Sequence, residues 1–232
     1  MAQGESANQA PAPVAAKGSE DTRARLLLAG LRLFAQQGFS KTSTRELAEA
    51  ASVNVAAISY HFGDKAGLYR AVLLESLGPP EADIARYDGP DLSLAQALRG
   101  FFDSFLVPLK QGDLARLCIK LHSREMVEPT GLWEEAVAHG IRPMHDALLA
   151  VLCRHFALAA ADPDLQRLAI CLAGLGVHMH VGRDISEQLV PGISEGPAAI
   201  DQWADRLVMF GLAMVHAEAA RRGAPLPGAP CP

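Results

Sequence analysis

Apolar residues recur at steps of three and four along most of this chain, with no strand-like alternation of any length. Steps of three and four mark one face of a helix, so the pattern predicts an all-α protein. The first helix is expected from about Thr22 to Gln37, with Leu26, Leu27, Gly30, Leu33 and Phe34 inward, and Gly38 ends it. Ser43 and Glu46 stand three apart before Leu47, Ala48 and Ala51, the capping-box signature of a second helix. Ser52-Val53-Asn54 breaks that pattern, and Asn54 suits the N-cap of a third helix from Val55 to about His61. Val53, Ile58 and Phe62 are placed to hold these two helices together. A fourth helix should run from Lys65 to about Leu77, where Gly78-Pro79-Pro80 stops it. After a polar loop to about Ser93, further helices are expected at 93–110, 113–127, 132–159, 163–183 and 198–222. The 132–159 segment is disturbed between Gly140 and Pro143; Pro143 either kinks a long helix or opens a new one at its first position. There is no internal repeat.

Two short helices joined by a four-residue turn are the geometry that places a helix in the major groove of DNA. The outward positions of the second one, Asn54, Ala56, Ala57, Ser59, Tyr60 and His61, suit that use. Small residues allow close approach, Ala can touch a thymine methyl, and Asn can pair with adenine or a phosphate. Tyr60 and His61 offer rigid rings with polar tips for phosphate contacts, and Lys65 at a helix N-terminus offers a further phosphate seat. The plainer alternative is an ordinary helical hairpin in a core. The stretches TRARLLLAGLRLFAQQGF (Thr22 to Phe39), TSTRELAEAASV and YHFGDKAGLY (Tyr60 to Tyr69) resemble, in order and spacing, the TetR family of bacterial transcriptional regulators. Carried over position by position, the resemblance implies a DNA-facing set of Thr44, Arg45, Asn54, Ala56, Ala57, Ser59, Tyr60, His61 and Lys65. It implies that the fourth helix links the DNA domain to the rest. One departure stands out: Ser52 occupies the turn position where the family usually has Gly, a cost if that position needs φ > 0.

The net charge of −5 looks wrong for a DNA-binding chain until it is divided. Residues 19–70 carry seven Lys/Arg against five Asp/Glu, while residues 71–232 carry 13 against 20. The basic balance therefore sits on the DNA module. It is modest, which favours two copies acting together. Cys118, Cys153, Cys171 and Cys231 show no CxxC or zinc spacing and read as small buried residues in a reducing cytoplasm. No signal peptide is evident, and the longest apolar stretch, Leu168 to Val181, is too short and too polar to span a bilayer. No HExxH, GxSxG, phosphate-binding glycine loop or CxxC points to an enzyme, and no cofactor or metal is expected. The expected division is a disordered tail over 1–18, a helix-turn-helix domain over 19–68, a helical ligand-binding and dimerisation domain over 69–223, and a flexible end over 224–232.

The last two helices carry the quaternary argument. Leu165, Leu168, Ala169, Leu172, Leu175, Gly176 and Met179 form one stripe; Ile200, Trp203, Ala204, Leu207, Phe210, Gly211 and Met214 form another. Their opposite faces are apolar too, with Ile170, Cys171, Ala173 and Val177 on one and Val208, Leu212 and Val215 on the other. Helices apolar on two sides need cover on two sides, and a second copy of the chain is the expected partner in a two-fold homodimer. Such a dimer implies a palindrome-like double-stranded operator. The run HSREMVEPT (His122 to Thr130) with LWEEAVAHGIRPM resembles the CecR-like (YbiH-like) subgroup, which implies a helical ligand-binding domain and a small-molecule effector. Candidate effector-facing residues are Cys118, His122 and Glu125 on one helical face, His145 on the next helix, and His178. Hydrogen-bonded core histidines are the plainer reading of these. The expected function is a repressor released by a small molecule; the alternative is a DNA-binding adaptor that is constitutive or responds to a protein.

Overall fold

Gly38, at φ 82° and ψ 171°, breaks the N-terminal helix α1 (Val14–Lys41) shortly before its end. Only a residue without a Cβ holds that conformation cheaply. The buried Thr42 then bonds its hydroxyl back to the Gly38 carbonyl at 2.7 Å. The computed structural model describes residues 14–223. α1 begins inside the stretch expected to be a tail; residues 1–13 and the expected flexible end over 224–232, with Cys231, lie outside the described residues.

Helices α2 (Thr44–Ala51), α3 (Ala56–Phe62) and α4 (Lys65–Glu75) follow. Their inward residues Leu47, Ala48, Ala51, Ile58 and Leu68 pack with Leu26, Phe34 and Ala35 of α1. Tyr69 closes this core, its ring meeting those of Phe34 at 4.9 Å and Phe39 at 5.1 Å edge-on. The chain forms two units, one ending at Val72 and one beginning at Leu73, with α4 crossing the boundary.

The second unit contains α5 (Pro80–Ile84), α6 (Leu94–Lys110), α7 (Asp113–Val127), α8 (Trp133–Ala136), α9 (Arg142–Phe156), α10 (Pro163–Val181), α11 (Arg183–Leu189) and α12 (Gly196–Arg221). Between α8 and α9 the residues Val137–Ile141 form a π-helical turn. Pro143 explains it: with no N–H, it cannot bond to the carbonyl four residues back, so the ladder slips by one residue. α6 is the central rod, burying Leu94, Ala97, Leu98, Phe101, Phe102 and Leu106 against α9, α10 and α12. Its close fit to α12 needs Gly211, where a Cβ would come within 3.1 Å of the Phe102 ring and 3.3 Å of Leu98 and Leu172.

Several expectations are corrected here. α5 and α11 occupy stretches expected as loop. On α12 the buried stripe is Ile200, Ala204, Leu207, Gly211, Val215 and Ala219. That near-continuous step of four turns Phe210 about a third of a turn away from the core. Phe210 is therefore 44% exposed, whereas Val215, expected outward, is fully buried. Cys171 is exposed rather than buried, and Cys118 and Cys153 are half-buried. Among the described residues no helix is long and apolar enough to cross a membrane.

Candidate nucleic-acid interface

The reader is built from local hydrogen bonds outward. Ser43 Oγ accepts the Glu46 N–H at 3.2 Å, and Glu46 Oε2 accepts the Ser43 N–H at 2.8 Å, closing the capping box that starts α2. The Ser43 backbone N–H and hydroxyl hold the Glu46 carboxyl below the usual carboxylate range. α2 ends at Ser52, which takes the left-handed conformation, φ 53° and ψ 48°. Its N–H bonds back to the Glu49 carbonyl at 3.0 Å, and Val53 N–H to Ala48 at 2.9 Å. Asn54 Oδ1 then accepts the Ala56 N–H at 2.9 Å and opens α3. Ile58, 1% exposed, is the inner anchor of α3, while Val53 and Phe62 are half-buried beside it.

The outward residues stand clear of this core. Asn54, Ala56 and Ser59 are exposed, Ala57, His61 and Thr44 are half-buried, and Tyr60 is 79% exposed. Tyr60 and His61 meet edge-on with centroids 4.8 Å apart. Arg45 is also exposed, its Nε donating to Glu49 at 2.8 Å. An exposed pair of this kind is weak enough to be exchanged for another acceptor.

Lys65, expected at a phosphate, meets carbonyls of its own chain. It is half-buried, and its Nζ donates to the Phe39 and Thr42 carbonyls, each at 3.0 Å, while lying 4.2 Å from the centre of the Phe39 ring. The ammonium faces the protein's own backbone, because α4 starts beside the corner between α1 and α2. Sequence reasoning also missed Arg25. Its Nη1 donates to the Ala51 and Ser52 carbonyls at 3.1 and 3.2 Å. Both contacts join residues more than twenty positions apart, a distance at which spacing carries no signal.

The expected effector-facing residues do not converge. His122 Nδ1 lies 2.7 Å from the Cys118 carbonyl, and Nε2 lies 3.2 Å from the Leu73 carbonyl and 3.5 Å from Ser76 Oγ. Burial holds the ring below the usual histidine range, against the pull of those carbonyls and of Glu125. Glu125 is fully buried and accepts the Thr130 N–H at 2.8 Å and its hydroxyl at 2.9 Å. Burial also pushes the Cys118 thiol up. His145 bonds Gln166 at 3.0 Å, and His178 is exposed on the outer side of α10. α10 turns His178 away from its buried stripe, so the structure does not bring it together with His122 and Glu125. Among the described residues no group of three or more His, Cys, Asp or Glu is placed to hold a metal ion.

A capped helix, a tight turn and a second helix with small and polar residues outward define the class: a helix-turn-helix DNA-binding protein. Residues 26–72 match the family model of bacterial regulatory proteins of the tetR family, and residues 94–214 match that of the C-terminal domain of the HTH-type transcriptional dual regulator CecR. The HTH-type transcriptional regulator AcrR of Shigella flexneri is 32% identical over 164 residues, covering 67% of this chain and 75% of AcrR. CecR of the same organism is 30% identical over 144 residues, covering 57% of this chain and 64% of CecR. Among solved structures, NalD, the secondary repressor of the MexAB-OprM multidrug efflux pump in Pseudomonas aeruginosa, shares the fold with a TM-score of 0.57 at 22% identity, over 84% of this chain and 97% of NalD. The chain belongs to the TetR family. It is a DNA-binding transcriptional regulator and not an enzyme.

Proposed function

We propose that this protein is a cytoplasmic homodimeric repressor that holds a palindromic operator and releases it on binding a small molecule. The observation that carries the dimer is an apolar surface on two helices of the second unit. Ile170, Val177 and Val181 of α10 are 62%, 38% and 50% exposed, and Met209 and Phe210 of α12 are 46% and 44% exposed. Large apolar residues at helical spacing on adjacent helices mark a surface that another chain covers. Two readers in one dimer then meet two half-sites.

In this reading Arg45 reads a base edge, Ala56 and Ala57 touch thymine methyls, and Thr44, Asn54, Ser59, Tyr60 and His61 meet phosphates or sugars. α3 carries no Lys or Arg, so guanine contacts from it are absent and DNA shape supplies part of the discrimination. The effector acts by binding the released form more tightly than the operator-bound form. The fold shared with NalD, a repressor, and the match to the C-terminal domain of the transcriptional dual regulator CecR support the repressor reading.

Footprinting the purified protein on the DNA upstream of its own gene, with and without a panel of small molecules, tests this. Protection of a two-fold symmetric site that one compound abolishes is expected. Protection that no compound weakens, but a protein extract does, would replace the effector by a protein signal.

A further inference from the structure

α2 is eight residues long, too short to stand as a helix without support from its surroundings. It carries Arg45 in its first turn and hands the chain to α3 through the strained Ser52. Both of its ends are gripped by cations from other helices. At the start, Lys65 of α4 donates to the Phe39 and Thr42 carbonyls, the latter belonging to the residue just before the Ser43 cap. The Lys65 ammonium also lies over the Phe39 ring, which packs edge-on against Tyr69. At the finish, Arg25 of α1 donates to the Ala51 and Ser52 carbonyls, and it is steadied by Asp21, 3.0 Å from its Nε. Carbonyls at helix C-termini carry partial negative charge, so cations suit the end of α1 and the end of α2.

We infer that Lys65 and Arg25 are positioning residues of the DNA reader: they fix the two ends of α2, and their charges are engaged on the protein's own carbonyls instead of on phosphates. The inference rests on the DNA contacts proposed for α2 and α3. Its mark is in the salt dependence. Removing a residue that neutralises a phosphate lowers the slope of log affinity against log salt by about 0.9. Removing one that only holds α2 lowers affinity and leaves the slope alone.

The test uses the full-length protein and the operator fragment defined by footprinting, with Lys65→Met, Lys65→Arg, Arg25→Met and Arg25→Lys. The conservative pair keeps the charge but not the geometry, since a planar guanidinium cannot copy an ammonium that meets two carbonyls and a ring. Expected is a five- to fiftyfold loss of affinity in all four at the wild-type slope. Faster amide hydrogen exchange at Leu47 and Ala48 should accompany it in the free protein. A reduced slope for the Met variants with wild-type binding by Lys65→Arg would overturn the inference, and so would wild-type affinity or unchanged exchange throughout. If a Met variant does not fold, the conservative variants and the exchange measurement still decide. Arg45→Ala is the control for the reading of DNA contacts: relaxed base preference there, with an unchanged slope at Lys65 and Arg25, separates that reading from this inference, and the reading fails if Arg45→Ala changes nothing.

Discussion

At the scale of single residues, Ser52 is the point where sequence and geometry disagree most. A left-handed conformation costs a residue with a Cβ roughly 1 to 2 kcal/mol, part of which Gly returns through its freer unfolded chain. Ser52→Gly should therefore stabilise the fold by about 0.5 to 1 kcal/mol, read as a higher urea midpoint at unchanged m-value. A lower midpoint would mean that the serine side chain makes up for its backbone. Arg45 supplies the second residue-scale prediction. Arg45→Ala should relax base preference at one symmetric pair of operator positions in a binding-site selection, and an unaltered sequence preference would remove Arg45 as a reader. What was legible here followed distance along the chain. The Ser43–Glu46 box and the Asn54 cap are closed within three residues, so type and spacing reveal them. The grips of Lys65 and Arg25 depend on how helices pack, and neither residue type nor spacing announces them.

At the scale of helices, the long periodic segments were legible and the short ones were not. α6, α7 and α10 have three or more turns of apolar period and clear stop signals, so their bounds follow from pattern and capping. α11 has seven residues and no side-chain cap, and it is held by contacts around it: Glu187 accepts the N–H groups of Gly192 and Ser194, each at 2.8 Å. α10 also contains an ionisable group that the helix pattern did not distinguish. His180 lies beside Phe105, its Nδ1 is buried without a hydrogen-bond partner, and burial, aided by Arg183, pushes its pKa down to about 4. An unfolded histidine titrates near 6.5. As pH falls below that value the unfolded chain takes up a proton that the folded ring refuses, so stability is lost from about pH 6.5 down to about 4. His122 and His155, both also held low by burial, act in the same direction. The thermal midpoint should fall between pH 7 and 4.5, and His180→Leu should flatten part of that fall. An identical pH profile for the variant would show that the ring titrates normally.

At the scale of the whole molecule, the sequence showed that the last two helices are apolar on more than one side but not which residues look outward. That depends on how α10 and α12 rotate against α6, and the exchange of Phe210 for Val215 shows how far periodicity alone can drift along one helix. The outward residues now make the dimer testable. Ile170 and Val177 are seven apart on the exposed side of α10, so Asp at both leaves the buried stripe untouched while placing charges where the partner would sit. Two copies of each charge facing one another across a two-fold axis repel, and desolvating them adds to the cost. The double variant should keep wild-type helicity by circular dichroism yet sediment as a monomer. Its operator affinity should drop about 10²- to 10⁴-fold, because the second half-site is no longer held at high effective concentration. The salt slope should also fall to about half, since one reader neutralises half the phosphates. This pairing of affinity and slope distinguishes loss of the dimer from damage to the reader, which would weaken binding without changing sedimentation. A variant that stays dimeric, or a monomer that binds the full operator as tightly as wild type, would mean that α10 is not where two chains meet.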